Sequence, residues 1–187
     1  NGLVAQFTNY GARWVSMWAP DCNGCMGDIV LGFDTLDGYR MAGEQYHGAI
    51  VGRVCGRISN ACFRLGDQEY LLASNDAYGK PVRNHLHGGI DAFHNRFWKS
   101  RSFLTPAGEE AVEFSIYSQS GEEGYPGNLQ VKVTYLLQNN NCLRMECEAT
   151  TDRLTPVNLT NHTFFNLQSS SGPAVKKNVL SHNLTLN

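Results

Sequence analysis

Three short clusters carry the side chains that could do chemistry. In Asn84-His85-Leu86-His87-Gly88-Gly89, two histidines precede a glycine pair. The glycines let the backbone turn sharply and let a ligand come close. His-x-His on a strand can chelate zinc with both rings on one face, but a third ligand at suitable local spacing is missing. In Pro156-Val-Asn-Leu-Thr-Asn161-His162-Thr-Phe-Phe-Asn166-Leu167, a histidine stands among amides and aromatics. The third cluster, Gly48 to Ile58, sets Arg53 and Arg57 in an apolar, glycine-rich run. Their even spacing predicts that they share one face of an extended strand. An arginine there is a fixed cation with five donors, suited to hydroxyls and carboxylates, or a structural group pairing a core carboxylate. Aromatic faces with Asn, His and Arg donors are the dressing of a sugar site, since a pyranose offers CH patches and many hydroxyls.

The elements that must position these clusters have a period of two. Val112, Phe114 and Ile116 alternate with polar neighbours, as do Leu129, Val131, Val133 and Tyr135, and then Leu143, Met145, Cys147 and Ala149. Such runs are half-buried strands. Further strands are expected at Leu3–Phe7, Trp14–Ala19, Asp28–Phe33, Phe63–Leu65, Tyr70–Leu72, Phe97–Leu104 and Val157–Leu167. Turn chemistry at Leu65–Gln68, Pro106–Gly108 and Asn139–Asn141 separates several of them. Helical periodicity over three turns is absent. The pattern predicts an all-β chain, a large antiparallel β-sandwich, with more than twice as many strand as helix residues. The long connections Asn75–Asp91 and Ser118–Asn128 are where binding belongs on such a scaffold. Ser169–Pro173 reads as a flexible turn, and Val179 to Leu186 as the start of another strand.

Composition bounds the partners. The 187 residues carry 15 Lys+Arg against 17 Asp+Glu, a formal charge of −2, with 42% hydrophobic residues. That length suits one domain spanning residues 1–187. The near-neutral balance argues against nucleic acid, and the apolar runs are too short to span a bilayer. A basic-then-apolar leader does not open the sequence. Six cysteines fall short of a disulfide scaffold, and Cys22-Asn23-Gly24-Cys25 lacks the second pair of a zinc site. Most of the cysteines are expected to be small buried groups in a reducing, cytoplasmic setting, and no metal or cofactor is expected.

The order of motifs resembles the aldose 1-epimerases (galactose mutarotases). Asn9-Tyr-Gly-Ala12, Asp28-Ile-Val-Leu-Gly-Phe-Asp34, Gly52-Arg53, Gly56-Arg57-Ile58, Leu86-His87-Gly88-Gly89, Gly121 to Asn128 and Asn158 to Leu167 follow in the family's order. The resemblance runs from residue 2 to residue 168 and makes this the N-terminal portion of such a sandwich. It implies cofactor-free interconversion of the α and β anomers of free hexoses such as galactose and glucose. A base takes the anomeric hydroxyl proton while an acid protonates the ring oxygen; the ring opens, the aldehyde rotates and the ring recloses.

By motif, His162 matches the acid at the ring oxygen, a role for which histidine is chemically suited. His87 and Arg57 match residues that hold the sugar and polarise its oxygens, and Asn75, opening the long connection, joins them as a sugar-binding candidate. His87 and His162 should then lie within about 10 Å of each other. Many members have Asn where this chain has Gly56. The family's base is a glutamate far toward the C-terminus, and neither Glu122 nor Glu123 matches it. The alternatives are a non-catalytic carbohydrate-binding sandwich and a hexose-phosphate epimerase relative. Uncovered strand faces make a homodimer or a complementing C-terminal half the expected protein partner.

Overall fold

Strict alternation at 112–116 and 129–135 builds the centre of the molecule. The computed structural model describes residues 2–76, 83–168, 180 and 182–186. Strands β1 (Val4–Thr8), β2 (Arg13–Pro20) and β3 (Met26–Asp28) form one antiparallel sheet in that order. A short helix, α1 (Leu36–Met41), follows, capped by the Thr35 hydroxyl, which accepts the Gly38 N–H at 3.1 Å. Its six residues are too few to leave a helical period in the sequence.

Three two-stranded ladders involve β4 (Ile50–Val51), β5 (Arg57–Ile58), β6 (Cys62–Leu65), β7 (Gln68–Leu71), β8 (His85–Leu86) and, much later, β13 (Thr160–Asn161). They pair β5 with β8, β6 with β7, and β4 with β13. Between them in sequence run β9 (Lys99–Leu104), β10 (Glu110–Ser118), β11 (Leu129–Leu137) and β12 (Leu143–Thr151), a four-stranded antiparallel sheet in the order β12-β11-β10-β9. Strand residues reach 44% against 10% helix.

Register puts the apolar residues of β10 and β11 on one face, with Phe114 opposite Val133 and Ile116 opposite Val131. That face packs on Ala12, Ile50, Phe93 and Trp98, with Phe7 and Leu159 at its margin. Each large side chain so buried contributes roughly 1.5–3 kcal/mol. The Phe7 and Tyr135 rings stack at 4.5 Å across the two sheets. The Tyr135 hydroxyl donates to the Ala12 carbonyl at 3.1 Å and accepts from Asn161 Nδ2 at 3.0 Å. Asn161 also donates to the Gly48 carbonyl, so its side chain is occupied inward.

Four expectations are corrected. The cysteines are not buried: Cys22, Cys25, Cys142 and Cys147 are exposed and Cys55 and Cys62 half-buried. Cys22 and Cys25 occupy the β2–β3 turn and Cys142 the β11–β12 turn, while Cys147 lies on β12, the edge strand, whose apolar face packs on the core only at Leu143. The strand at Asp28–Phe33 is shorter and earlier, with only a bridge from Val30 to Phe165 beyond it. Val157–Leu167 is regular only at β13, because its amides pair with several separate partners. Residues 182–186 form no strand. The turn at 169–173, and residues 179 and 181, lie outside the described residues.

Candidate active site

His87 stands just past β8, where the chain reverses. Its φ is +53°, followed by Gly88 at +91° and Gly89 at +113°. A Cβ on Gly88 would strike the Gly52 carbonyl, and one on Gly89 the Glu123 carboxylate, so only glycine fits behind this histidine. The Glu123 carboxylate closes the turn by accepting the Ile90 and Asp91 amides at 3.0 and 2.8 Å. Gly56 and His87 bond reciprocally: the His87 amide donates to the Gly56 carbonyl at 3.1 Å, and the Gly56 amide donates to His87 Nδ1 at 3.1 Å. Because Nδ1 accepts, the neutral ring carries its proton on Nε2. Gly56 has φ +77° with open space where a side chain would be. That backbone region admits Gly and Asn most readily, which gives a physical reason for both residues at this position.

His162 extends the β4–β13 ladder by one step. Its amide donates to the Ala49 carbonyl at 2.8 Å, and its carbonyl accepts from Gly48 at 3.0 Å. The two ladders bring the rings together: His87 and His162 meet edge-on, centroids 5.0 Å apart at 89°. This is well inside the expected separation. Tyr46 lies against both, 4.6 Å from His87 and 5.5 Å from His162, and also 4.7 Å from buried His94. Burial, with help from His162 and Arg57, pushes the His87 imidazole down to about 4. His94 is pushed down to about 3, first by burial and then by Arg13. His87 is therefore a neutral hydrogen-bond donor near neutral pH.

Arg57 pairs across from Leu86, beside His87, and its Nε donates to Asp76 Oδ2 at 2.7 Å. Its side chain is 49% exposed, whereas Asp76 is nearly buried at 10%. Asn75 is adjacent but turned to the backbone: its Nδ2 donates to the Leu86 carbonyl at 2.9 Å and its Oδ1 accepts the Leu86 amide at 2.7 Å. That arrangement positions β8.

Arg53, His85 and Glu122 are structural. Arg53 does not share a face with Arg57, because the chain leaves extended pairing between β4 and β5. It is buried, and its guanidinium donates to the carbonyls of Ser118, Gln119, Pro126 and Gly127, gathering the 118–127 loop. His85 faces the core, its Nδ1 on the Ala73 carbonyl and its Nε2 on the Tyr125 hydroxyl, both at 2.7 Å. The two histidines of His-x-His thus serve different sites. Glu122 bonds Arg96 and Ser118. Among the described residues no three His, Cys, Asp or Glu side chains group as metal ligands. Two clefts of about 790 and 440 Å³ are lined by other parts of the chain, the larger by β1, β9 and β10.

Tyr46, His94 and Arg13 carry no motif that marks them in the sequence. Buried Arg13 donates to the carbonyls of Gln45 (2.9 Å), His47 (2.7 Å) and His94 (2.9 Å), holding the wall of the site from behind. The available signal was the Tyr46-His47-Gly48 triplet immediately before the arginine run.

A model of the aldose 1-epimerase family matches residues 1–187. Galactose mutarotase from Bos taurus is 39% identical over 184 residues, 98% of this chain and 49% of that one. Aldose 1-epimerase from Haemophilus influenzae is 37% identical over 187 residues, 100% of this chain and 50% of that one. The crystal structure of an aldose epimerase homologue from C. elegans superposes with a TM-score of 0.78 at 34% identity, covering 88% of this chain and 48% of that one. Galactose 1-epimerase from Lactobacillus acidophilus gives 0.75 at 30% identity, covering 89% and 46%. The chain spans about half the length of the curated relatives it matches. With motif order, fold and matches along its whole length in agreement, the chain belongs to the aldose 1-epimerase family.

Proposed function

We propose that this chain is the N-terminal part of a single-domain aldose 1-epimerase that interconverts the anomers of free aldohexoses such as galactose and glucose. The edge-on meeting of His87 and His162 at 5.0 Å carries this reading. Two imidazoles at that spacing can address two neighbouring oxygens of one sugar ring. In the proposed reaction a carboxylate base takes the proton from the anomeric hydroxyl, and His162 delivers a proton to the ring oxygen. The C1–O5 bond breaks, the aldehyde turns about the C1–C2 bond, and reclosure from the other face completes the exchange. Neutral His87 donates a hydrogen bond through Nε2–H to an oxygen gaining negative charge, without giving up its proton. Arg57, oriented by Asp76, binds hydroxyls. The base is not assigned within residues 1–187, since Glu122 and Glu123 are both engaged in holding loops. The protein partner is a complementing C-terminal half or a second copy. Four exposed free thiols suit a reducing, cytoplasmic compartment.

Polarimetry tests the proposal. The chain alone and a hybrid carrying the C-terminal half of the Haemophilus influenzae relative are each mixed with fresh α-D-galactose or α-D-glucose. The hybrid should accelerate rotation change while the folded chain alone stays near the spontaneous rate, because an acid without its base forfeits orders of magnitude. Equal rates for both would place a base within residues 1–187. A hybrid that binds galactose without accelerating exchange would favour a non-catalytic sugar-binding sandwich.

A further inference from the structure

We infer that Tyr46 is a positioning residue for the His87–His162 pair, a wedge whose ring sets the angle between the imidazoles and keeps water from His87. The inference rests on reading those two histidines as the site. Tyr46 touches both rings and His94 besides, so its ring fills the space behind the pair. A wedge must itself be immobile, and the backbone around it is held on every side. The Glu44 carboxylate accepts the Tyr46 amide at 3.0 Å, and the Tyr46 carbonyl accepts from Ala49 at 3.0 Å. Arg13 grips the carbonyls immediately before and after it, those of Gln45 and His47.

Burying a guanidinium is costly. Arg13, with 0% exposure, lies against the rings of Tyr10 and Tyr39, and its hydrogen bonds go to the 45–47 segment and to the carbonyl of His94. The effect of that cation is geometric: it fixes the segment from which Tyr46 projects. The charged and titratable groups acting on His87 are His162, Arg57, Glu44, Asp76 and His94. Of these, Arg57 and His162 oppose protonation of His87, while Glu44 and Asp76 favour it, so loss of the desolvating ring would let protonation rise.

NMR titration of the histidine rings of the 187-residue chain reads this directly and needs no catalysis. Tyr46→Leu should raise the His87 titration midpoint by about one pH unit or more, whereas Tyr46→Phe, which keeps the ring, should leave it within a few tenths. In the hybrid, Tyr46→Leu should move the acid limb of the mutarotation profile upward and Tyr46→Phe should restore it. An unchanged His87 midpoint in folded Tyr46→Leu overturns the inference, even if the hybrid is active. An inactive hybrid with the expected titration change overturns the mutarotase reading and leaves the wedge standing. Should Tyr46→Leu not fold, nuclear Overhauser contacts in the unsubstituted chain decide, since loss of contact from the Tyr46 ring to either imidazole overturns it.

Discussion

The Gly56 amide donates to His87 Nδ1 while the His87 amide donates back to the Gly56 carbonyl, each at 3.1 Å. This pair fixes which ring nitrogen carries the proton and ties the histidine to the residue next to Arg57. On the proposed reading it suits His87 to the part of neutral donor and leaves His162 as the proton carrier, the division that the motifs imply. In the hybrid, His162→Ala should cut kcat about 10²–10⁴-fold, the usual scale for a general acid. His87→Gln, which keeps a donor, should cost less than His87→Ala. Polarimetric rates over a range of galactose concentrations check both, and an intact kcat in His162→Ala would reverse the assignment.

The Arg57–Asp76 ion pair is half in solvent, so its value lies in orientation more than in stability. Asp76→Asn should raise KM for galactose several-fold with a smaller change in kcat, and Arg57→Ala should lower kcat/KM by roughly tenfold or more. Thermal melting of both variants should stay close to that of the unsubstituted chain. A large fall in Tm without a kinetic effect would make the pair structural.

His87 and His94 make the fold sensitive to acid. Unfolded, each takes a proton near its ordinary 6.5; folded, His87 resists until about 4 and His94 until about 3. Below pH 6.5 the unfolded chain therefore binds more protons. The stability these rings contribute is complete above that pH and is lost as pH falls toward 4 and 3. Urea unfolding at about pH 7 and about pH 4 should show this loss. His94→Phe should remove on the order of 2 kcal/mol of the difference, since each tenfold change in proton affinity is worth about 1.4 kcal/mol and partial hydration reduces the sum. An equally steep fall in the variant would assign the acid sensitivity to carboxylates.

Arg53→Met should destabilise the chain by about 3 kcal/mol or more, because four loop carbonyls and the Ser118 hydroxyl lose their donors. The readout is the urea midpoint. The 118–127 loop, which carries Glu122 and Glu123, should also lose amide-exchange protection before the β10–β11 centre does. Uniform protection loss would mean that the arginine does not act through that loop.

Much of the scaffold was legible because its signal is local. Period-two alternation located β10 and β11 to within a residue or two, and the Gly66, Gly108 and Asn139–Asn141 turns marked the hairpins. His87, His162 and Arg57 were legible through motif order and their glycine neighbours. What escaped depends on the third dimension. Even spacing could not show that the chain breaks step between Arg53 and Arg57, nor that the first ring of His-x-His turns inward at His85. Tyr46 is marked only by its place just before the arginine run, a weak signal, since a tyrosine near a glycine looks the same in a core or on a surface. The exposure of Cys147 is equally invisible: its alternation on β12 is regular, but what covers a face is not written in the strand itself.

The Tyr135–Ala12 and Asn161–Gly48 bonds join partners 123 and 113 residues apart in the chain. During synthesis the first half of each pair must wait for the second. Ribosomes add roughly 5–20 residues per second, so the amide of Gly48 meets the carbonyl of His162 only many seconds after Gly48 is made. Until then the edge of β4 lacks its partner β13 and the core lacks Leu159, and pairing of such distant segments is slow in any case. The nascent chain is thus most vulnerable to misassociation between completion of the β10–β11 hairpin and arrival of residue 162, an interval in which a chaperone would have most to protect.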